Sequence, residues 1–170
     1  MADRSQSDTA LVQFNERLTN SAAFGTLFRE GMDLVEETAA YLDGDGRAEA
    51  KALERSVSLT YATESMRLTT RLMQLASWLL LHRAVKEGEM TLTQANREKT
   101  KVKLSAADPG PEAMIEKLPQ QLQDLINRSM NLQSRVRRLD ITIHTPPTER
   151  APIGNPLVPQ LNRLKAAFEQ

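Results

Sequence analysis

RAEAKALERSVSLTYATESMRLTTRLMQLASWLLLHRAVKE, residues 47–87, holds no proline and no glycine and is made largely of strong helix formers. A single helix over that span would run about 60 Å at about 1.5 Å per residue. Leu53, Val57, Thr60 or Tyr61, Leu68, Leu72, Leu75 and Leu79 keep close to a heptad seam, with the polar Glu64 set inside it. The second half is different. Met66, Met73, Ala76, Trp78, Leu80, Leu81 and Val85 put apolar groups on other faces as well, so this half must be covered from more than one side. Burial in the chain's own core suffices for any one of these residues but strains to absorb Trp78, Leu79, Leu80 and Leu81 together. A dimer or cargo surface of Met66, Met73, Trp78, Leu79, Leu80 and Leu81 is therefore expected.

On the N-terminal side, Phe24, Phe28, Gly31, Val35, Thr38 and Leu42, flanked by Leu27, Leu34 and Tyr41, mark one face of a helix over about 22–42. Asp43-Gly44-Asp45-Gly46 ends it, two glycines supplying the freedom for a tight reversal. On the C-terminal side Gly88 stops the long helix. Thr91-Leu92-Thr93-Gln94 offers a capping box for a short helix over about 92–99. Lys101-Val102-Lys103-Leu104 and the linker Asp108-Pro109-Gly110-Pro111 fall in a loop over 100–118. Leu118, Leu122, Leu125, Ser129, Leu132, Val136, Leu139 and Ile143 then keep 4,3 spacing, giving a third helix over about 119–140 with Pro119 at its first position.

The fold expected is all-α: a three-helix bundle over 21–143 with one long central helix. Residues 1–20 are polar and weakly patterned and are expected to be disordered. Residues 144–170 form a proline-rich linker and a flexible tail. In that tail Leu161, Leu164 and Phe168 share a helical face, and with Leu157 and Val158 they make a candidate partner-docking segment.

Composition agrees with helices. The 170-residue chain is 40% hydrophobic but only 4% aromatic, so Leu, Met, Val and Ala must build the core. Its 22 basic and 22 acidic residues cancel, which removes the summed field used for broad nucleic-acid affinity. Cysteine is absent, so disulfides, thiolate nucleophiles and Cys-based zinc sites are excluded. Asp3, Asp8 and Glu16 interrupt the N-terminus, which lacks the apolar stretch of a secretory signal, and the apolar run 72–81 contains Gln74 and Ser77 and is about half a bilayer span. A soluble, cytoplasmic protein without cofactor or metal is the expectation.

Little else invites catalysis. A calcium loop with Gly46 as its invariant glycine would begin at Tyr41 and end at Ala52, neither a ligand. His82 and His144 are far apart in sequence and form no metal-binding spacing. His82, followed by Lys86 and Gly88, loosely matches a phosphotransfer His-x-x-Lys-Gly with the spacing off by one residue. It fits better as an ordinary histidine near a helix C-terminus. Glu36, Glu37 and Glu64 fit solvated or hydrogen-bonded roles better than acid–base work. Arg97, Lys99, Lys101 and Lys103 form one basic strip, and Arg135, Arg137 and Arg138 another, without the interleaved aromatics of a nucleic-acid surface.

Longer words carry a resemblance. FREGMDLVEETAAYLDGDGR at 28–47, YATESMRLTTRLMQLASWLLL at 61–81, Gly88-Glu89-Met90-Thr91, and Glu98-Lys99-Thr100-Lys101-Val102-Lys103-Leu104 make the chain similar to the RcdA family, the alphaproteobacterial regulators of CtrA degradation, also catalogued as a domain of unknown function. The resemblance implies a dimerising three-helix bundle and a non-enzymatic adaptor in cell-cycle-regulated proteolysis. It also implies partners: the ClpXP protease primed by a CpdR-like response regulator, together with cargo proteins or a further adaptor. The mobile tail of such proteins docks the primed protease, a role that falls here to 145–170. A histidine phosphotransfer component using His82, or a DNA-associated regulator using the basic strips, are the alternatives.

Overall fold

The computed structural model describes residues 22–99, 101 and 110–144, and all its regular elements are helices. They are α1 Ala22–Asp43, α2 Asp45–Ala52, α3 Arg55–Lys86, α4 Leu92–Lys99, α5 Glu112–Ile115 and α6 Gln120–His144. Helices α1, α3 and α6 pack mutually as a three-helix bundle. The remaining three lie against α3, which touches every other element.

Each long helix buries the face its spacing marks. On α1 this face is Phe24, Leu27, Gly31, Leu34, Thr38 and Tyr41, and on α3 it includes Val57, Tyr61, Glu64, Leu68, Leu72, Leu75 and Leu79. Helix α6 contributes Leu122, Leu125, Ile126, Leu132, Val136 and Ile143. The three faces meet closely at Gly31, where a Cβ would collide with Leu79 Cδ1 and stand 3.6 Å from Leu132 Cδ2. A glycine here leaves the Leu79 side chain in place between the axes; a larger residue would have to displace it.

The long helix is not continuous from residue 47. Leu53 (ψ 149°) and Glu54 (ψ 152°) are extended, splitting α2 from α3. The cause is tertiary. Tyr41 Oη donates to Glu49 at 2.7 Å, and Gly46 is pressed against Tyr41 and the Tyr61 hydroxyl so tightly that a Cβ would lie 2.6 Å from Tyr61 Oη. Gly46 is thus a packing glycine inside α2; the reversal takes place at Gly44 alone. Burial and the Glu49 contact both push the Tyr41 phenol pKa upward, so it remains a donor.

The other boundaries follow from local chemistry. Gly88 has φ 75°, and the bonds Glu89 N to Ala84 O (3.0 Å) and Gly88 N to Val85 O (3.1 Å) close α3 with a Schellman motif. Thr91 and Gln94 form the capping box of α4: Gln94 N donates to Thr91 Oγ1 at 3.2 Å and Thr91 N to Gln94 Oε1 at 2.9 Å. Helix α6 continues a turn past Asp140 because Ile143 is buried.

One polar layer crosses the bundle. The buried Glu64 carboxylate accepts from Arg67 and, at 3.1 Å, from the Gly110 amide, which ties the approach to α5 onto α3. Arg71 donates to Ser129 Oγ at 2.8 Å, and Ser129 passes a bond to Ile126 O at 2.7 Å. Burial lowers the Arg71 pKa and the nearby Glu64 charge opposes the shift, as for an ion held inside a helical interface.

Two exposed pairs fix the register of α1 against α6. Arg135 meets Glu30 at 2.6 Å and Arg128 meets Glu37 at 2.7 Å. The Arg128 hydrogen bond holds Glu37 below its ordinary pKa of 4.5. Its contribution is therefore complete above the unfolded pKa and disappears as pH falls through the lower folded value. Glu37→Gln should destabilise the bundle by under about 1 kcal/mol at pH 7, the scale of a surface pair. Urea unfolding of both proteins at pH 7 and at pH 3 checks this, and a deficit that persists or grows at the lower pH contradicts it.

Candidate interaction surface

Large apolar side chains remain outside the core on α3 in a regular order. Leu59 is 70% exposed, Met66 72%, Met73 66% and Leu80 52%. They stand seven residues apart, so they form one stripe that drifts only about 20° per heptad around the helix. Thr63, Thr70, Ser77 and Ala84 fall between them at the complementary heptad position. Two of these small residues have their hydroxyls turned inward: Thr63 donates to Leu59 O at 3.0 Å and Ser77 to Met73 O at 2.8 Å. Covering the stripe therefore leaves those hydroxyls bonded and removes mainly carbon from water.

Of the six surface residues expected from the sequence, Met66, Met73 and Leu80 lie on this stripe. Trp78 and Leu79 do not. They are 1% and 0% exposed, inside the chain's own core. Four consecutive apolar residues at about 100° each encircle a helix, and α1 and α6 take the side that carries Trp78 and Leu79. Leu81 is half-buried and faces the short helix α4. Leu59 was not among the expected residues, although its seven-residue offset from Met66 was there to be read. Leu157, Val158, Leu161, Leu164 and Phe168 lie outside the described residues.

Below the stripe's C-terminal end, a polar knot joins three helices. Trp78 Nε1 donates to Asp140 Oδ1 at 2.8 Å, and Lys99 Nζ, at the end of α4, lies 2.6 Å from the same carboxylate. The His82 ring stacks on Trp78 at 3.9 Å, and its Nδ1 lies 2.9 Å from Trp78 O. Phe24 completes the aromatic packing at 6.4 Å from Trp78. Alongside, α3 and α4 enclose an open cavity of about 330 Å³, lined by Ser77, Leu80, Leu81, Ala84, Glu98 and Lys101.

These positions bear on the alternatives. His82 is fully buried, so it is out of reach of a phosphoryl donor. Lys99 is paired with Asp140, Lys101 with Glu98 and Arg135 with Glu30, so both basic strips spend charge inside the molecule. Lys103 lies outside the described residues. Among the described residues no group of His, Cys, Asp and Glu could hold a metal ion, and no helix is long and apolar enough to cross a membrane.

The family model described as "Protein of unknown function (DUF1465)" matches residues 15–168. The solved structure of RcdA from Caulobacter crescentus CB15 is 50% identical, with a TM-score of 0.62, over 75% of this chain and 96% of that one. The chain belongs to the RcdA family. No curated protein matches it. Its RcdA-like words at 28–47 and 61–81 supply the tight inner contacts, Gly31, Gly46, Glu64, Arg71 and Trp78, and three members of the outer stripe, Met66, Met73 and Leu80.

Proposed function

We propose that this RcdA-family chain is a cytoplasmic, non-enzymatic adaptor that works as a homodimer and helps the ClpXP protease, primed by a CpdR-like response regulator, take up selected substrates in cell-cycle-regulated proteolysis. The observation that carries the reading is the stripe Leu59, Met66, Met73 and Leu80: a closed core with an additional, regular apolar face outside it. Such a face suits a protein that holds other proteins. Exposed methionines fit this work because their flexible thioethers adapt to more than one partner.

The stripe is also complementary to itself. In an antiparallel pair, Leu59 would face Ala84, Thr63 would face Leu80, Met66 would face Ser77 and Thr70 would face Met73, so every layer sets a large residue against a small one. A parallel pair would alternate crowded Leu or Met layers with sparse Thr, Ser and Ala layers.

Delivery is tested with purified ClpXP, the CpdR-like primer and a candidate cargo. The full chain should accelerate cargo loss. A chain ending at His144 should keep its helicity yet lose the acceleration, because residues 145–170 hold it near the protease and raise the local cargo concentration. Equal degradation with and without those residues would remove the tail from the mechanism, and no acceleration by the full chain would remove the adaptor role.

A further inference from the structure

We propose that the cavity between α3 and α4 is the seat of this chain's own C-terminal segment, residues 157–168. The cavity is small, about 330 Å³, with Leu80, Leu81 and Ala84 on α3 and the Glu98–Lys101 ion pair (2.8 Å) on the opposite side. That is room for a few side chains of a short peptide, not for the face of a folded domain.

The exit point of the chain favours a segment in cis. Asp140, one turn before the end of α6, is bound to Lys99, and Lys99 stands between the two cavity residues Glu98 and Lys101. The chain therefore leaves the bundle beside the opening. Residues 145–156 include Pro146, Pro147, Pro152 and Pro156, and a proline-rich stretch of this length reaches about 35 Å. Crossing one helix needs only about 10 Å. Beyond Pro159, Leu161, Leu164 and Phe168 recur at 3,4 spacing, which gives one short apolar helical face, with Leu157 and Val158 in the extended approach to it. Arg163, Lys165 and Glu169 beside that face provide charges of both signs, as the cavity rim does. A tethered segment meets its site at an effective concentration of about millimolar, so a weak apolar contact is enough to hold it.

A seated segment would cover Leu80, Ser77 and Ala84, which face Thr63, Met66 and Leu59 in the paired arrangement. Seating and pairing therefore exclude each other at that end of the stripe, and both measurements below are made at concentrations where the chain is monomeric. The absence of cysteine permits a direct test on the full chain. Ser77→Cys with Ala167→Cys, oxidised at low protein concentration, should form an intramolecular disulfide at least about tenfold faster than Ala48→Cys with Ala167→Cys. Ala48, on α2, serves as the reference position away from the cavity. Adding Leu164→Asp and Phe168→Asp should abolish the difference. Equal rates for the two pairs, or disulfides only between two chains, would overturn the proposal. A nitroxide on Ala167→Cys alone, with the cavity unaltered, should broaden the amide resonances of Leu80, Leu81 and Glu98 more than that of Ala48; uniform or absent broadening also overturns it. Both measurements read position only, so they fail or succeed independently of delivery to the protease.

Discussion

Trp78→Ala is expected to cost the bundle about 3–5 kcal/mol, a large part of the roughly 5–15 kcal/mol that holds a domain of this kind together. The indole is 1% exposed, packs against Phe24 and His82, and anchors Asp140 through Nε1. Removing it opens a cavity where α1, α3 and α6 meet and takes away one of the two partners shown for Asp140, leaving Lys99. Trp78→Phe separates the two effects. It keeps part of the ring packing and loses the donor with the rest of the indole, so its cost should lie between the about 1–2 kcal/mol of the lost hydrogen bond and the Ala value. Urea denaturation followed by circular dichroism should show a lower midpoint at unchanged slope for both variants, Ala well below Phe. Equal losses would mean that the hydrogen bond, not the packing, carries the contribution.

Met73→Asp should act in the opposite manner, leaving the fold intact and weakening self-association about 100-fold or more. Met73 is 66% exposed in the single chain, so a carboxylate there is solvated and costs the monomer little. In the antiparallel pair it would be buried against Thr70, beside the symmetry axis, with its partner copy carrying the same charge nearby. Burying an uncompensated charge costs about 3–5 kcal/mol. Leu79→Asp, by contrast, places a charge in the chain's own core and should unfold it. Light scattering across a concentration series, with circular dichroism on the same samples, distinguishes the two. A Met73→Asp protein that remains dimeric with native helicity would count against the stripe as the interface.

The sequence made the buried face of α3 legible because Val57, Tyr61, Glu64, Leu68, Leu72, Leu75 and Leu79 repeat at helical spacing and all lie inside. The Thr91–Gln94 capping box and the Gly88 stop were equally local and equally readable. The break at Leu53 and Glu54 was not. No proline or glycine marks it, and its cause is a contact between Tyr41 and Glu49 and the packing of Gly46, all set by the fold. The same limit governed the surface. Trp78, Leu79, Leu80 and Leu81 are indistinguishable as apolar residues until α1, α4 and α6 have taken their places, after which Trp78 and Leu79 are core and Leu80 remains outside. Leu59 could have been found, since it repeats the Met66 and Met73 interval, but the buried seam beside it gives the stronger periodic signal.

The self-pairing of α3's outer face is most directly tested by spin-label distances on full-length chains carrying one cysteine, at Thr63 or at Thr70. Antiparallel pairing about a point between Thr70 and Met73 should give a short distance at Thr70, about 10 Å between helix axes, and a distance at Thr63 of about 25 Å or more, from the 1.5 Å rise per residue. Similar short distances at both positions would mean parallel pairing, and no defined distance at either would mean that the stripe is not where two copies meet.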